Sequence, residues 1–105
     1  MKKFLLIVFA ATLGGPYNIT ATLPPHDVEI FELNAKPKDI KKVEVIGDKT
    51  SIFICTIFDD KAHNLIIVDN GNDYCYMEFE AKQGHYNIQV RNIGNSEDKY
   101  NLTSN

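Results

Sequence analysis

The stretch Asp73–Val90 constrains the fold of this chain most, because apolar and polar residues alternate strictly in two runs, 74–80 and 85–91. Successive side chains of a β-strand point to opposite faces, so each run predicts a strand with one apolar and one wet face. Ala81–Gly84 between them is short and ends in Gly, which predicts a hairpin turn. The inward residues are Cys75, Met77 and Phe79 in the first run and Tyr86, Ile88 and Val90 in the second.

Five other runs have strand character, at 28–33, 43–46, 51–58, 65–68 and 99–103. The alternation slips between Ile30 and Phe31, which predicts a bulge there or a strand buried on both sides. The run 51–58 is apolar on both faces and predicts a central strand. Asp69–Asp73 is rich in turn residues. Seven short strands with turn signals between them predict an all-β, antiparallel sandwich.

Residues 1–21 have the layout of a secretory signal peptide. Lys2 and Lys3 precede an uncharged run from Phe4 to Leu13, which is too short to span a bilayer comfortably. We expect cleavage after Ala21, with a cut after Gly15 or a buried N-terminal helix or strand as the alternatives. Residues 22–105 would then form a single secreted or periplasmic domain.

The charge of the exported chain excludes two partner classes. The formal net charge of the whole sequence is −3, and losing the two leading lysines makes it about −5. A nucleic-acid-binding protein needs a basic face for the phosphates, and a polybasic membrane-surface protein needs the same. No segment after the leader is long and apolar enough to span a membrane, so we expect no membrane role after cleavage.

Cys55 and Cys75 are the only cysteines. In an exported domain this small, two cysteines predict one disulfide, which would stabilise the fold by about 3 kcal/mol through its loop of about 20 residues. Two free thiols are the alternative, since the sequence does not give the Cα separation.

From residue 50 onward the order of features resembles the bacterial pre-peptidase C-terminal domain family. Gly84–Asn92 matches its Gly-x-Tyr-x-Ile-x-Val-x-Asn pattern, and Tyr100–Leu102 matches its closing Tyr-x-Leu. The resemblance covers about half the chain directly and implies a jelly-roll-like sandwich that serves as an accessory module. Ser51 and Phe53 stand where the family carries leading aspartates, which weakens an acidic cation-binding edge.

Four aspartates flank the predicted strand 65–68 and are candidate ligands for calcium, which prefers carboxylate and carbonyl oxygens. The alternative is that these residues only form turns, because Asp and Asn bond their own backbone. The candidates are Asp59, Asp60, Asp69 and Asp73.

Enzyme activity has no candidate site in the sequence. The histidines have no partner at zinc-ligand spacing, and the serines lie in no nucleophile elbow. The cysteines lie in β runs, away from a helix N-terminus that would lower a thiol pKa. We therefore expect a protein that is not an enzyme and has no cofactor other than the candidate calcium.

Tyr74 and Tyr76 lie on the wet face of their predicted strand, with His85 and Arg91 on the strand that the hairpin would place beside it. Tyrosine is common at binding surfaces because its ring is apolar and its hydroxyl polar. The alternative is that a second sheet or a loop covers both rings. The sequence thus predicts an exported module that binds a protein or a glycan, or else a structural subunit of a secreted or cell-surface assembly.

Overall fold

The computed structural model describes residues 17–59, 61 and 64–105, and these residues contain eight β-strands. Seven of them correspond to the predicted runs, and the additional strand lies at the N-terminal end. The strands are β1 (Tyr17–Leu23), β2 (Val28–Asn34), β3 (Ile40–Gly47), β4 (Phe53–Asp59), β5 (Leu65–Asn72), β6 (Tyr74–Glu80), β7 (His85–Asn92) and β8 (Asp98–Ser104).

The strands form two antiparallel four-stranded sheets, which confirms the predicted sandwich. One sheet has the order β1-β8-β3-β6 and the other has the order β2-β7-β4-β5. Alternate residues from both sheets turn inward and form one core, as the period-two patterns require. No helix in the described residues is long and apolar enough to cross a membrane. The largest fully buried apolar side chains are Phe53, Leu23, Leu33, Ile57, Met77, Ile88, Leu102, Val43, Val45 and Val90.

The predicted hairpin of β6 with β7 is wrong, although both strands exist where the alternation placed them. β6 pairs with β3, whereas β7 lies between β2 and β4 in the other sheet. Both strands turn an apolar face to the same core. The alternation of apolar and polar residues predicts which side chains face inward, but it does not predict which strand lies beside which. The short segment Ala81–Gly84 therefore crosses from one sheet to the other, held by hydrogen bonds from Ala81 N–H to Asp39 and from Lys38 N–H to Ala81.

β4 lies between β7 and β5, which confirms that the apolar run 51–58 forms an interior strand. The register of β4 against β5 shifts between Phe53 and Cys55 and again between Ile57 and Phe58. Of the two alternatives for the slip between Ile30 and Phe31, the bulge is excluded, because β2 pairs with β7 in an unbroken register. The adjacent residues Ile30 and Phe31 are half-buried and buried, as the other alternative requires at this point.

A disulfide joins Cys55 of β4 to Cys75 of β6, as predicted, and neither cysteine is free. The two Cα atoms are 6.3 Å apart, and both side chains are fully buried. Because β4 and β6 belong to different sheets, the bond ties the two layers together across the core.

The N-terminal strand β1 begins inside the segment that the sequence analysis assigned to the signal peptide. Its seven residues pair with β8 from Tyr17 opposite Ser104 to Leu23 opposite Asp98. Residues 1–16 lie outside the described residues, so the signal peptide itself stays a prediction. A cut after Ala21 would remove five of the seven residues of β1, whereas a cut after Gly15 would leave the strand whole.

Candidate functional site

The outer surface of β3 and β6 carries two exposed tyrosines among acidic side chains. β6 is an edge strand of its sheet, and β3 lies directly beside it. Alternate residues of both strands point into the core, so the residues between them form this surface, which we call the tyrosine face. Its members are Ile40, Lys42, Glu44, Ile46, Tyr74, Tyr76, Glu78 and Glu80.

The tyrosine face has an exposed aromatic and aliphatic centre. Tyr74 and Tyr76 retain 44% and 41% of their accessible surface, and Ile46 retains 43%. Ile46 lies opposite Tyr74 in the β3–β6 register, so the three side chains are neighbours. Within the part of the chain that the structure describes, neither the second sheet nor a loop buries the two rings, in contrast to the alternative drawn from the sequence.

Both tyrosine hydroxyls donate hydrogen bonds to carboxylates on the same face. Tyr74 Oη donates to Glu44 Oε2 at 2.5 Å, and Tyr76 Oη donates to Glu78 Oε1 at 2.9 Å. These hydrogen bonds are the largest of the causes that raise the pKa of each tyrosine above its usual value of 10.0. The hydroxyls therefore stay protonated at physiological pH, and their protons point at the carboxylates.

β6 is fixed in place at the two tyrosines by contacts with the opposite sheet. Cys75 lies between them in the sequence, and its buried side chain is bonded to Cys55 of β4. The backbone N–H of Tyr76 donates to Asp69 Oδ2 of β5 at 2.7 Å. The tyrosine face is consequently held on a strand that is anchored before any partner arrives, which lowers the entropy lost on binding.

His85 and Arg91 do not border the tyrosines. Both are exposed residues of β7, which belongs to the other sheet, so their side chains emerge on the opposite side of the sandwich. His85 Nδ1 is 2.9 Å from Asn34 Oδ1, and Arg91 lies opposite Val28. The prediction that these two residues lie beside the tyrosines depended on a β6–β7 hairpin. It is wrong because the two strands do not pair.

The described candidate calcium ligands are spread along the sandwich. Asp59 lies at the end of β4 near Leu65, whereas Asp73 follows β5 at the opposite end of the same hairpin. The carboxylate of Asp73 accepts hydrogen bonds from the backbone N–H groups of Lys49 and Ser51 at 3.0 to 3.2 Å. It therefore stabilises the turn between β3 and β4.

Asp69 belongs to a strand and not to the predicted turn, since β5 continues to Asn72. The actual turn is tighter, with Asn72 at a positive φ of 60°.

Asp60 lies outside the described residues, and so does His63. Within residues 17–59, 61 and 64–105 no three histidine, cysteine, aspartate or glutamate side chains are grouped so as to hold a metal ion. Calcium binding stays a prediction.

Glu44 and Ile46 were not predicted as site residues, although they lie opposite Tyr76 and Tyr74 in the β3–β6 register. Both lie on β3, thirty residues before β6, and only the pairing of β3 with β6 brings them there. The period-two pattern of β3 shows that they face outward, but no local signal identifies the partner strand.

Several solved structures share the fold of this chain. The pre-peptidase C-terminal domain of collagenase from Bacillus anthracis matches with a TM-score of 0.76 and 16% identity, over 90% of this chain and 92% of that one. PliG from Aeromonas hydrophila, a periplasmic inhibitor of g-type lysozyme, matches with a TM-score of 0.63 and 16% identity over 89% and 93% of the two chains. Salmonella Typhimurium PliG matches with a TM-score of 0.56 and 12% identity over 90% and 97%.

No family model matches the chain, and a search of curated protein sequences finds no match either. The likeness to the solved structures therefore establishes the fold, which is that of a pre-peptidase C-terminal domain. This confirms the fold that the resemblance of Gly84–Asn92 and Tyr100–Leu102 implied.

Proposed function

We propose that this chain is an exported, non-enzymatic module that binds a protein through the tyrosine face. The observation that carries the proposal is the pair Tyr74 and Tyr76, two aromatic side chains left more than two-fifths exposed on an anchored strand. Such rings give a large contact area at a small cost in side-chain entropy. An apolar centre with charged residues around it is also the usual composition of a protein interface.

The fold supports a protein partner for this module. The PliG proteins, whose fold this chain shares, are periplasmic inhibitors of g-type lysozyme. A secreted hydrolase of that kind is therefore the first partner to test. Export is supported by the same neighbours and by the predicted signal peptide.

The proposal is tested by measuring binding of purified g-type lysozyme to the wild-type chain and to the double variant Tyr74→Ser/Tyr76→Ser. We expect the double variant to bind about tenfold more weakly or worse, since central aromatic residues dominate interface energies. The matched control is Leu65→Ser/Val68→Ser, which removes two exposed apolar side chains from the other sheet. Equal binding by the tyrosine variant, or no binding by the wild-type chain, would contradict the proposal.

A structural role in an assembly is the second candidate, and the β5 edge favours it. Leu65 and Val68 are 54% and 51% exposed on an edge strand that contains neither lysine nor proline. Edge strands pair readily with other strands unless charged residues or proline protect them. The one charged residue of β5, Asp69, has its carboxylate engaged with the backbone of Tyr76. Sedimentation of the wild-type chain over a range of concentrations tests this role. Self-association that Leu65→Ser/Val68→Ser abolishes would support an assembly subunit, and a monomer at every concentration would argue against self-assembly.

A further inference from the structure

The hydrogen-bonding groups of the tyrosine face are almost all acceptors. The protons of Tyr74 and Tyr76 are already committed to Glu44 and Glu78, so the outward lone pairs of both hydroxyls can only accept. An ionised carboxylate accepts as well, and each has an oxygen that the tyrosine does not use. Lys42, which lies opposite Glu78, is the one cationic side chain among the members of this face.

Acidic side chains outnumber the single cationic one on this face. Glu44 and Glu78 contact the tyrosine hydroxyls, Glu80 lies farther along β6, and only Lys42 opposes them in charge. Asp69 of β5 adds a carboxylate next to the backbone of Tyr76. The whole sequence carries a net charge of −3, so the long-range field has the same sign as the face. A partner that contacts this surface must bring donors and positive charge.

From these contacts we infer that the tyrosine face recognises arginine side chains on a cationic partner protein. This inference rests on the proposed function and specifies the chemistry of its partner. A guanidinium group has five donors and no acceptor, and it pairs with a carboxylate through two parallel hydrogen bonds. It also stacks on aromatic rings, which the ammonium group of lysine does less well.

The spacing of the two tyrosine positions along β6 suits this ligand. Residues two apart on a strand lie about 6.6–6.8 Å from each other on the same face. A planar group in contact with a side chain on each side needs about 3.5 Å to either one. Each ring also has a carboxylate at its hydroxyl, Glu44 at Tyr74 and Glu78 at Tyr76. A guanidinium that stacks on either ring therefore has an acidic partner nearby. A sugar fits less well, because its hydroxyls must find donors as well as acceptors.

The inference is tested with two labelled peptides, a glycine–serine peptide that carries several arginines and the same peptide with citrulline at those positions. Citrulline keeps the planar shape but has no charge. We expect the full wild-type chain to bind the arginine peptide in low salt at least about tenfold more tightly than the citrulline peptide, and added salt to weaken that binding.

The variant Glu44→Gln/Glu78→Gln should bind the arginine peptide about tenfold more weakly than wild type. Glu32→Gln/Glu97→Gln is the matched control, since it removes the same charge from exposed positions outside the face. Circular dichroism of each variant verifies folding. Equal losses in the two variants, equal binding of the two peptides, or no binding of the arginine peptide would each overturn the inference.

The two proposals fail in different ways. If Tyr74→Ser/Tyr76→Ser abolishes lysozyme binding while the Glu44→Gln/Glu78→Gln variant binds the arginine peptide normally, the face binds protein and only its selectivity for arginine is wrong. If the tyrosine variant binds lysozyme normally, the proposed function itself is wrong.

Discussion

At the scale of single residues, the carboxylates of this molecule fall into two groups with different hydrogen-bond partners. Glu44 and Glu78 lie on an exposed face and accept the protons of neighbouring tyrosines. Asp73 and Asp98 accept backbone N–H groups at the turn between β3 and β4, where loops would otherwise leave buried donors unpaired. The hydrogen-bond partners of a carboxylate, and not its presence in the sequence, therefore show whether it belongs to the exposed face or stabilises a turn.

Asp73→Ala should destabilise the fold. The substitution leaves the N–H groups of Lys49 and Ser51 without their acceptor, and bonds to a charged acceptor are stronger than neutral ones. We expect the free energy of unfolding in urea to fall by about 1–3 kcal/mol. Glu97→Ala, which removes an equal charge from an exposed loop, is the control. An equal effect of both substitutions would contradict the assigned role.

Glu29→Gln should change how stability depends on pH. Burial raises the pKa of Glu29 above its usual 4.5, partly opposed by the hydrogen bond that the Tyr100 hydroxyl donates to it. The folded state thus holds the proton more tightly than the unfolded state. Stability is greater when Glu29 is protonated and falls as pH rises from about 4.5 through the folded-state pKa.

Glutamine cannot ionise, and its oxygen can still accept from Tyr100. We therefore expect the variant to lose less stability than wild type between about pH 4 and pH 7 in urea unfolding series. Glu32→Gln on the same strand is the charge-matched control. A variant whose pH series coincides with that of wild type would show that Glu29 does not titrate differently in the two states.

At the scale of strands, the alternation of apolar and polar residues does not predict which strands pair, and the pairing determines which side chains share a surface. β6 and β7 each match their predicted burial pattern, yet they lie in different sheets. Strands close in sequence pair often but not always, and a four-residue connection is long enough to cross between the layers of a sandwich. Because β7 lies in the other sheet, His85 and Arg91 do not belong to the tyrosine face.

Strand β1 limits where a signal peptide could be cleaved without loss of the strand. A chain of residues 22–105 lacks most of β1, and with it the packing of Ile19 and Ala21 against the core. We expect it to be less stable than a chain of residues 16–105 by at least about 2 kcal/mol in urea unfolding. N-terminal sequencing of the exported protein should accordingly find a start before Tyr17. Equal stability of the two chains would contradict this prediction and would be consistent with cleavage after Ala21.

The disulfide joins β4 to β6 and should support binding as well as stability. Replacing both Cys55 and Cys75 with alanine is expected to lower the free energy of unfolding by about 3 kcal/mol. It should also weaken the binding of lysozyme, because Cys75 anchors β6 between the two tyrosines. Mass spectrometry of the exported protein with and without reductant verifies the bond. Unchanged binding by a folded double variant would show that the pairing with β3 alone fixes the face.

At the scale of the whole molecule, the sandwich separates residues that the sequence places close together. The loops before and after β5 lie at opposite ends of that strand, so Asp59 and Asp73 cannot share an ion.

Thermal melting with and without a chelator tests the calcium prediction. A calcium-stabilised fold should melt at a lower temperature when the ion is removed, by mass action. A clear drop in Tm with chelator, restored by added calcium, would establish the site, and an unchanged Tm would contradict the prediction.

The sequence by itself determined the inward and outward faces of the strands, the sandwich class and the disulfide. Side-chain alternation and burial are local consequences of strand geometry, and two cysteines allow a single pairing within the chain. Only the tertiary structure decided which strands are neighbours, since hydrogen bonds between strands depend on backbone groups that every residue shares. That choice brought Glu44 and Ile46 to the tyrosines, and it placed Arg91 on the far side of the molecule.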